Sequence, residues 1–240
     1  MPSVGRWTVV VVAPTSPQAL PFIYPQLHAC GSQKNGCSNA GFTAGSWTTI
    51  RSAQDDVFRS VPGTGMAIAY DMGAKGVHSP HKQAIAHRLA IEMRQVAYNE
   101  TIAPRGPTLV GACLQHFNNV TNTSTVLVKL GNAAGLTMNA TRGCSDCCSP
   151  PGRKGMFHVS TAGSYAGEKW VTDADMAVSD TSAVVVTTQH GSIPRGSNVF
   201  GIRYAAGNLP QCAVVNRAGM PLAPFNAATI APACGFADEL

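Results

Sequence analysis

Thr64-Gly-Met-Ala-Ile-Ala-Tyr-Asp-Met-Gly-Ala-Lys-Gly-Val-His78-Ser-Pro-His-Lys-Gln is the stretch on which the reading of this chain turns. Met66 to Met72 is predicted to be an apolar strand, and Gly73 to Val77 the loop that leaves it. Ser79 is suited to cap the next helix, with Pro80 in the first turn, where its missing N–H costs nothing. From Ile85 the apolar residues recur at Leu89, Met93 and Val96, which predicts one face of a helix running to about Tyr98. His78 thus stands at a strand-to-helix turn, beside the positive end of a helix, where a further positive charge is disfavoured. A histidine so placed tends to stay neutral, as a general base must.

Outward from this stretch the chain changes punctuation. Residues 1 to about 104 alternate strand and helix: an apolar run at Val9–Val12, the Pro-rich Pro21-Phe-Ile-Tyr-Pro-Gln-Leu27, then a small-residue loop over Gly31–Gly45. A helix is expected over Ser46–Arg59, with Trp47, Ile50, Gln54 and Val57 along one side. Strands alternating with helices imply a parallel sheet covered by helices. After Ile102-Ala-Pro-Arg-Gly-Pro107 the helical period disappears. Short runs follow at Leu109–Leu114, Thr125–Leu130, Phe157–Ser160, Met176–Val178, Ala183–Thr187 and Val199–Tyr204. Gly, Pro, Asn and Asp separate them, the spacing of an all-β sandwich over 105–240. The predicted class is therefore α/β followed by β, with the boundary near residue 105.

At 240 residues and 45% hydrophobic, the chain can bury one large core or two modest ones. Only 12% of residues are charged and the net charge of +5 is diffuse. Without a basic run or interleaved aromatics, nucleic acid is not an expected partner. No segment reaches the ~18 apolar residues of a membrane span. Arg6 followed by Trp7-Thr-Val-Val-Val-Val-Ala13 is short for a signal peptide and ends at Pro14, so a buried strand is the better reading. Eight cysteines (Cys30, Cys37, Cys113, Cys144, Cys147, Cys148, Cys212 and Cys234) accompany four N-x-[ST] sequons, at Asn99, Asn119, Asn122 and Asn139. Together they point to disulfides and to the secretory pathway: secreted, lysosomal or in the ER lumen. Cys30 and Cys37 could staple the small-residue loop, but eight cysteines leave the pairing open. The final Ala237-Asp-Glu-Leu240 approaches a K-D-E-L retention signal without its lysine.

Four stretches, in order over about residues 20 to 228, carry a resemblance to a known family. Pro21-Phe-Ile-Tyr-Pro-Gln-Leu27 is similar to an aromatic "PF-x-x-x-QL" strand. Trp47-Thr-Thr-Ile-Arg-Ser-Ala-Gln54 with Val61-Pro-Gly-Thr-Gly-Met-Ala67 resembles "W-x-x-x-R-x-A-Q … P-N-T-G-M-A". Asp71-Met-Gly, His78, Lys82-Gln83 and Arg88-Leu89-Ala90 correspond to "D-I-G … D-I-H-P … K-Q … R-L-A". Gly201-Ile-Arg-Tyr-Ala205, Asn208-Leu-Pro-Gln-Cys212 and Gly219-Met-Pro-Leu-Ala-Pro-Phe225 resemble "V-R-Y-A … N-P-x-C … G-L-P-A-x-P-F". These are signatures of the C-terminal part of the sialate O-acetylesterases, carbohydrate esterases with an SGNH-hydrolase fold.

The resemblance implies a partial SGNH-type three-layer parallel-sheet domain over 1–104 and cleavage of an acetyl ester from a sugar such as sialic acid, with no cofactor and no metal. It carries the catalytic histidine onto His78. It carries the serine nucleophile onto no residue here, because its Gly-x-Ser turn lies N-terminal to all four matches. The family's "D-I-H" becomes Gly76-Val77-His78, so the aspartate that orients the histidine is replaced by glycine. Lys75 cannot accept an imidazole N–H; Asp71, the nearest carboxylate in sequence, reads equally as that orienting residue or as a strand-end residue satisfying loop amides, and a backbone carbonyl could orient the ring instead. Without its early strands such a sheet is expected to expose an apolar edge or face.

Read without the family, His78 is an ordinary loop histidine. His81 and His87 lie six apart on a helix and face differently, which argues against a metal pair. Cys144-Ser-Asp-Cys147 lacks the second C-x-x-C of a zinc site. Trp47 and Trp170 read as packing residues rather than sugar platforms, and Gly63-Thr-Gly65 as a turn rather than a phosphate loop. The competing function is a non-catalytic fragment whose β-sandwich binds glycans or a partner.

Overall fold

The computed structural model describes residues 20–28, 47–73, 78–101, 105–140, 156–160, 170–171, 175–178, 183–189, 199–206 and 212–234. The run at Val9–Val12, the Cys30–Cys37 loop and the cysteines at 144, 147 and 148 lie outside these residues.

Two short strands open the described chain, β1 (Phe22–Pro25) and β2 (Thr64–Ala67), paired parallel with Phe22 opposite Thr64 and Pro25 opposite Ala67. Helix α1 (Trp47–Ser60) joins them and α2 (Lys82–Tyr98) follows. Successive strand residues point to opposite faces. Tyr24 donates its hydroxyl to Gln54 O of α1 at 2.6 Å, while Ile23 and its register partner Gly65 meet α2. The two helices therefore cover opposite faces of the pair. Gly65 permits this: a Cβ there would stand 2.8 Å from Ile23 Cδ1 and 3.2 Å from both Glu92 Cβ and Val96 Cγ2. Such a Cβ would require the Ile23 terminal methyl to move and α2 to give by a few tenths of an ångström.

The strand expected over Met66–Met72 ends at Ala67. The chain turns there because Met72 N–H closes onto Ala69 O at 3.0 Å and Tyr70 is drawn inward, fully buried. The helix faces also differ from expectation. On α1, Ile50 and Val57 are exposed and the buried residues are Arg51 and Asp55. On α2, Met93 is exposed, Ile85, Leu89 and Val96 are half-buried, and Arg88 and Glu92 are the buried positions. Charged residues hold the inner stripe because each has a partner: Arg59 pairs with Asp55 at 2.6 Å, and those of Arg51, Arg88 and Glu92 are described below.

Beyond Arg105 the chain is β throughout the described residues. Strands β3 (Thr108–Asn118), β4 (Thr123–Gly131), β5 (Thr137–Ala140), β6 (Phe157–Ser160), β7 (Trp170–Val171), β8 (Asp175–Val178), β9 (Ala183–Gln189), β10 (Gly201–Tyr204), β11 (Cys212–Val215) and β12 (Phe225–Ala231) follow in sequence. Eight of them form one sheet, ordered β7-β6-β10-β12-β3-β4-β9-β8, and β11 pairs with β5. Every pairing here is antiparallel except β12 with β3. β4 shows the cause: Ser124, Val126, Val128 and Leu130 alternate buried with half-buried neighbours, the period-2 pattern of a strand with one face in the core. That core gathers Val126, Val128, Val184, Val186, Phe157, Val159, Ile202, Tyr204, Val214, Leu222 and Phe225, and Tyr70 from the first region joins it.

Cys113 of β3 is bridged to Cys234, just beyond β12. Ala231 and Cys113 are register partners, so the disulfide sits beside the parallel pairing. No helix among the described residues is long and apolar enough to cross a membrane.

Candidate functional site

The region around His78 is built by clamps that act on the backbone at both ends of its loop. After β2, the guanidinium of Arg88 reaches back from α2. Its Nη1 donates to Ile68 O and to Asp71 Oδ1, both at 2.6 Å, and Nη2 donates to Asp71 Oδ2 at 2.7 Å. A planar fork on both carboxylate oxygens is the strongest geometry for such a pair, and both side chains are largely buried. Downstream, Ser79 is buried and donates its hydroxyl to Met72 O at 2.8 Å, while accepting from His81 N–H at 3.2 Å. His78 itself is exposed, between these two fixed points.

Two local expectations change. Ser79 does not cap α2: the helix begins at Lys82, its N-cap is His81, and no side chain caps it. The Ser79 hydroxyl has a nearer, buried acceptor in Met72 O, which closes the loop instead. The residue at the positive end of α2 is accordingly His81 rather than His78. Asp71 has both of its oxygens on Arg88, so the nearest carboxylate in sequence is paired with the guanidinium that holds the chain after β2.

The carboxyl end of the parallel pair carries a second group of polar residues. Gln54 of α1 accepts from Leu27 N–H at 2.8 Å and donates to Pro25 O at 3.1 Å, gripping the exit of β1. Gln26 lies between, its N–H bonded to Ala67 O at 2.8 Å; its side chain is buried and neither amide atom has a bonded partner among the described residues. Arg51 is buried and donates to Ala205 O at 3.3 Å; desolvation pushes its guanidinium down to about 10. On α2, burial raises the Glu92 carboxyl above its usual range, against the pull of Arg105, 3.3 Å away.

A hydrogen-bonded chain joins the first region to the β core. Val214 N–H donates to Tyr204 Oη at 2.8 Å, the two tyrosine hydroxyls meet at 3.0 Å, and Tyr70 Oη donates to Leu222 O at 3.1 Å. Because Tyr70 gives its one proton to Leu222 O, Tyr204 is the donor between them. Burial raises the pKa of both phenols, so both stay protonated.

The motif residues thus divide by role. Gln54, Arg51, Arg88, Asp71 and Tyr204 all belong to the four quoted stretches, and each proves to be a clamp that sets backbone position. Their partners were not readable, because they are main-chain groups from distant segments or, for Asp71 and Arg88, side chains 17 residues apart. His78 is the residue of those stretches that stands exposed on the clamped loop, with chemistry to offer.

No family model matches the chain, and no curated protein matches it. Among solved structures, the fold is similar to a carbohydrate acetylesterase from Xanthomonas citri, with a TM-score of 0.58 and 21% identity. The likeness covers 85% of this chain, which is more than either region alone, and 40% of that protein. The chain therefore spans less than half the length of the esterase whose fold it shares.

Proposed function

We propose that this chain is part of a carbohydrate O-acetylesterase acting by serine-hydrolase chemistry on sialic acid or a related O-acetylated sugar. One observation carries the reading: His78 is exposed on a loop clamped at both ends, at the carboxyl end of a parallel strand pair covered by helices, where α/β folds bind ligands. The shared fold with a carbohydrate acetylesterase supports it. His78 takes the proton from the serine hydroxyl, then returns it to the leaving sugar oxygen. That serine is supplied by the segment that precedes the four matched stretches. With Asp71 held by Arg88, a backbone carbonyl orients the imidazole. In this reading residues 1–104 are the C-terminal part of an SGNH-like domain and 105–240 a β-sandwich. The Cys113–Cys234 bridge and exposed sequons at Asn99 and Asn119 support passage through the secretory pathway.

The test is acetyl release from O-acetylated sialic acid. The chain alone is expected to give none, and the protein carrying its preceding segment to give turnover that His78→Ala lowers about 10²–10⁴-fold with an unchanged circular dichroism spectrum. Full activity of His78→Ala would overturn the assignment. The second reading, a non-catalytic glycan-binding fragment, is favoured by the capture of Asp71 by Arg88. It is the reading left if the longer protein binds the sugar and releases no acetate.

A further inference from the structure

A cavity of about 470 Å³ opens between two turns of the β region, lined by Asn132, Ala133, Ala134, Asn216, Arg217 and Ala218. It lies on turns other than the one that carries His78. Asn216 makes it rigid, since its side chain is fully used: Nδ2 donates to Arg105 O at 2.9 Å and Asn132 O at 3.2 Å, and Oδ1 accepts from Ala218 N–H and Met220 N–H, both at 3.1 Å. Arg217 N–H closes the two turns together on Ala134 O at 2.9 Å.

The Arg217 side chain is seated rather than loose. Gly135 has φ +66°, and a Cβ at that position would stand 3.0 Å from Arg217 Cβ and 3.1 Å from its Nε. The arginine stem therefore lies on the bare glycine backbone. Its guanidinium is exposed, and among the described residues no carboxylate meets it. The carboxamide of Asn132, also exposed, adds one donor pair and one acceptor. Three alanine residues supply the apolar remainder of the wall.

We propose that this cavity binds a sugar bearing a carboxylate, of the hexuronate class. The guanidinium forks onto the carboxylate, the Asn132 amide reads ring hydroxyls, and the alanine methyls pack against ring C–H groups. The lining holds a single cation, which matches a singly charged carboxylate better than a phosphate dianion. The volume falls in the range of small-molecule sites. The choice of a sugar over other carboxylates rests on the carbohydrate-esterase reading; the guanidinium–carboxylate contact does not.

The test is titration of the whole 240-residue chain with methyl glucuronide, methyl glucoside and acetate, followed by calorimetry and by amide NMR shifts. The glucuronide is expected to bind, to shift residues 132–136 and 216–220, and to weaken with added salt. The neutral glucoside should bind about tenfold more weakly or worse, as should the glucuronide to Arg217→Ala. Gly135→Ala, which displaces the arginine stem, should weaken binding as well, and Arg217→Lys should retain part of it. Thermal melts of each variant show whether the fold is intact. Equal affinity for acetate and glucuronide would overturn the sugar, leaving an anion seat. No binding, or binding indifferent to Arg217→Ala, would overturn the site. Acetyl release that depends on His78 in the protein carrying the preceding segment, without glucuronide binding, sinks this proposal alone; glucuronide binding with no release from that longer protein sinks the esterase reading alone.

Discussion

The two regions of this molecule are held together by different balances of buried charge and apolar packing. In residues 20–101 the buried side chains include Gln26, Arg51, Asp55, Arg88 and Glu92, while Leu20, Phe22, Ile50, Val57, Val61 and Met93 stand exposed. Among the described residues of 105–234 the inside is mostly Val, Ile, Leu, Phe and Tyr, with His158, Arg203 and Asn216 the larger buried polar side chains, and the large exposed apolar residues are Val110, Val120 and Phe200. Burial of apolar area stabilises at about 25 cal/mol per Å² and needs no particular geometry. A buried charge costs several kcal/mol unless its partner is in place, so the first region's stability is concentrated in a few exact pairs. One region tolerates approximate packing; the other depends on whether each clamp is made.

The contrast can be broken by removing what each region relies on. Replacing both Cys113 and Cys234 by serine opens a crosslink spanning 121 residues of sequence. It is expected to lower stability by about 4 kcal/mol, read as a fall in the denaturation midpoint. Tyr204→Ala empties a position in contact with Tyr70, Phe157 and Phe225 and leaves Val214 N–H unpaired. It should cost about 3–5 kcal/mol. If the regions are truly joined through Tyr70, the two should still melt in one transition, and separate transitions would show the seam to be weak.

Asp71→Asn leaves the Arg88 guanidinium buried opposite a neutral amide and should cost about 3 kcal/mol. By contrast Phe22→Lys, at a side chain 61% exposed, should change stability by no more than about 0.5 kcal/mol. Equal effects at Asp71 and Phe22 would erase the distinction between clamp and exposed face.

Alkaline titration sharpens it further. Burial holds the Tyr24 phenol up to about 12, and Tyr70 and Tyr204 are also raised. An unfolded tyrosine loses its proton near pH 10, so above that pH the unfolded chain releases protons the folded chain keeps, and stability falls as pH rises. Arg51, lowered to about 10, acts in the other direction, shedding its proton earlier when folded. Three phenols outweigh one guanidinium. Melting temperature should therefore drop between pH 9 and pH 11, and Tyr70→Phe should flatten the drop.

The same contrast explains what was legible. Short apolar runs between turn residues located β4, β6, β8, β9 and β10 closely; in β4 the apolar residues are the buried ones in alternation, while all of β6 and β10 is buried, His158 and Arg203 included. The same reading missed β5, β7, β11 and β12; around the last two, Gly, Pro and Ala dilute the pattern. In the helices the extents were right for α1 within a residue, yet the inward face was not, since Arg51 and Arg88 point inward to carbonyls that no local pattern reveals. Around His78, the strand-to-helix turn was legible and its fastening was not. Asp71 and Arg88 are 17 residues apart, and Ser79 finds Met72 rather than the helix.

The position of β12 has a consequence for biosynthesis. Of the described strands it is the last to leave the ribosome, yet it occupies the middle of the large sheet, between β10 and β3. Until it arrives, β7-β6-β10 and β3-β4-β9-β8 are two separate half-sheets, each with a bare edge that the finished molecule hides. The nascent chain must keep the β3 edge from pairing with other polypeptides from Asn118 until Phe225 is made, and the β10 edge over the shorter interval after Tyr204. A ribosome that stops before Phe225 would release a product with nearly all its strands and no way to join them.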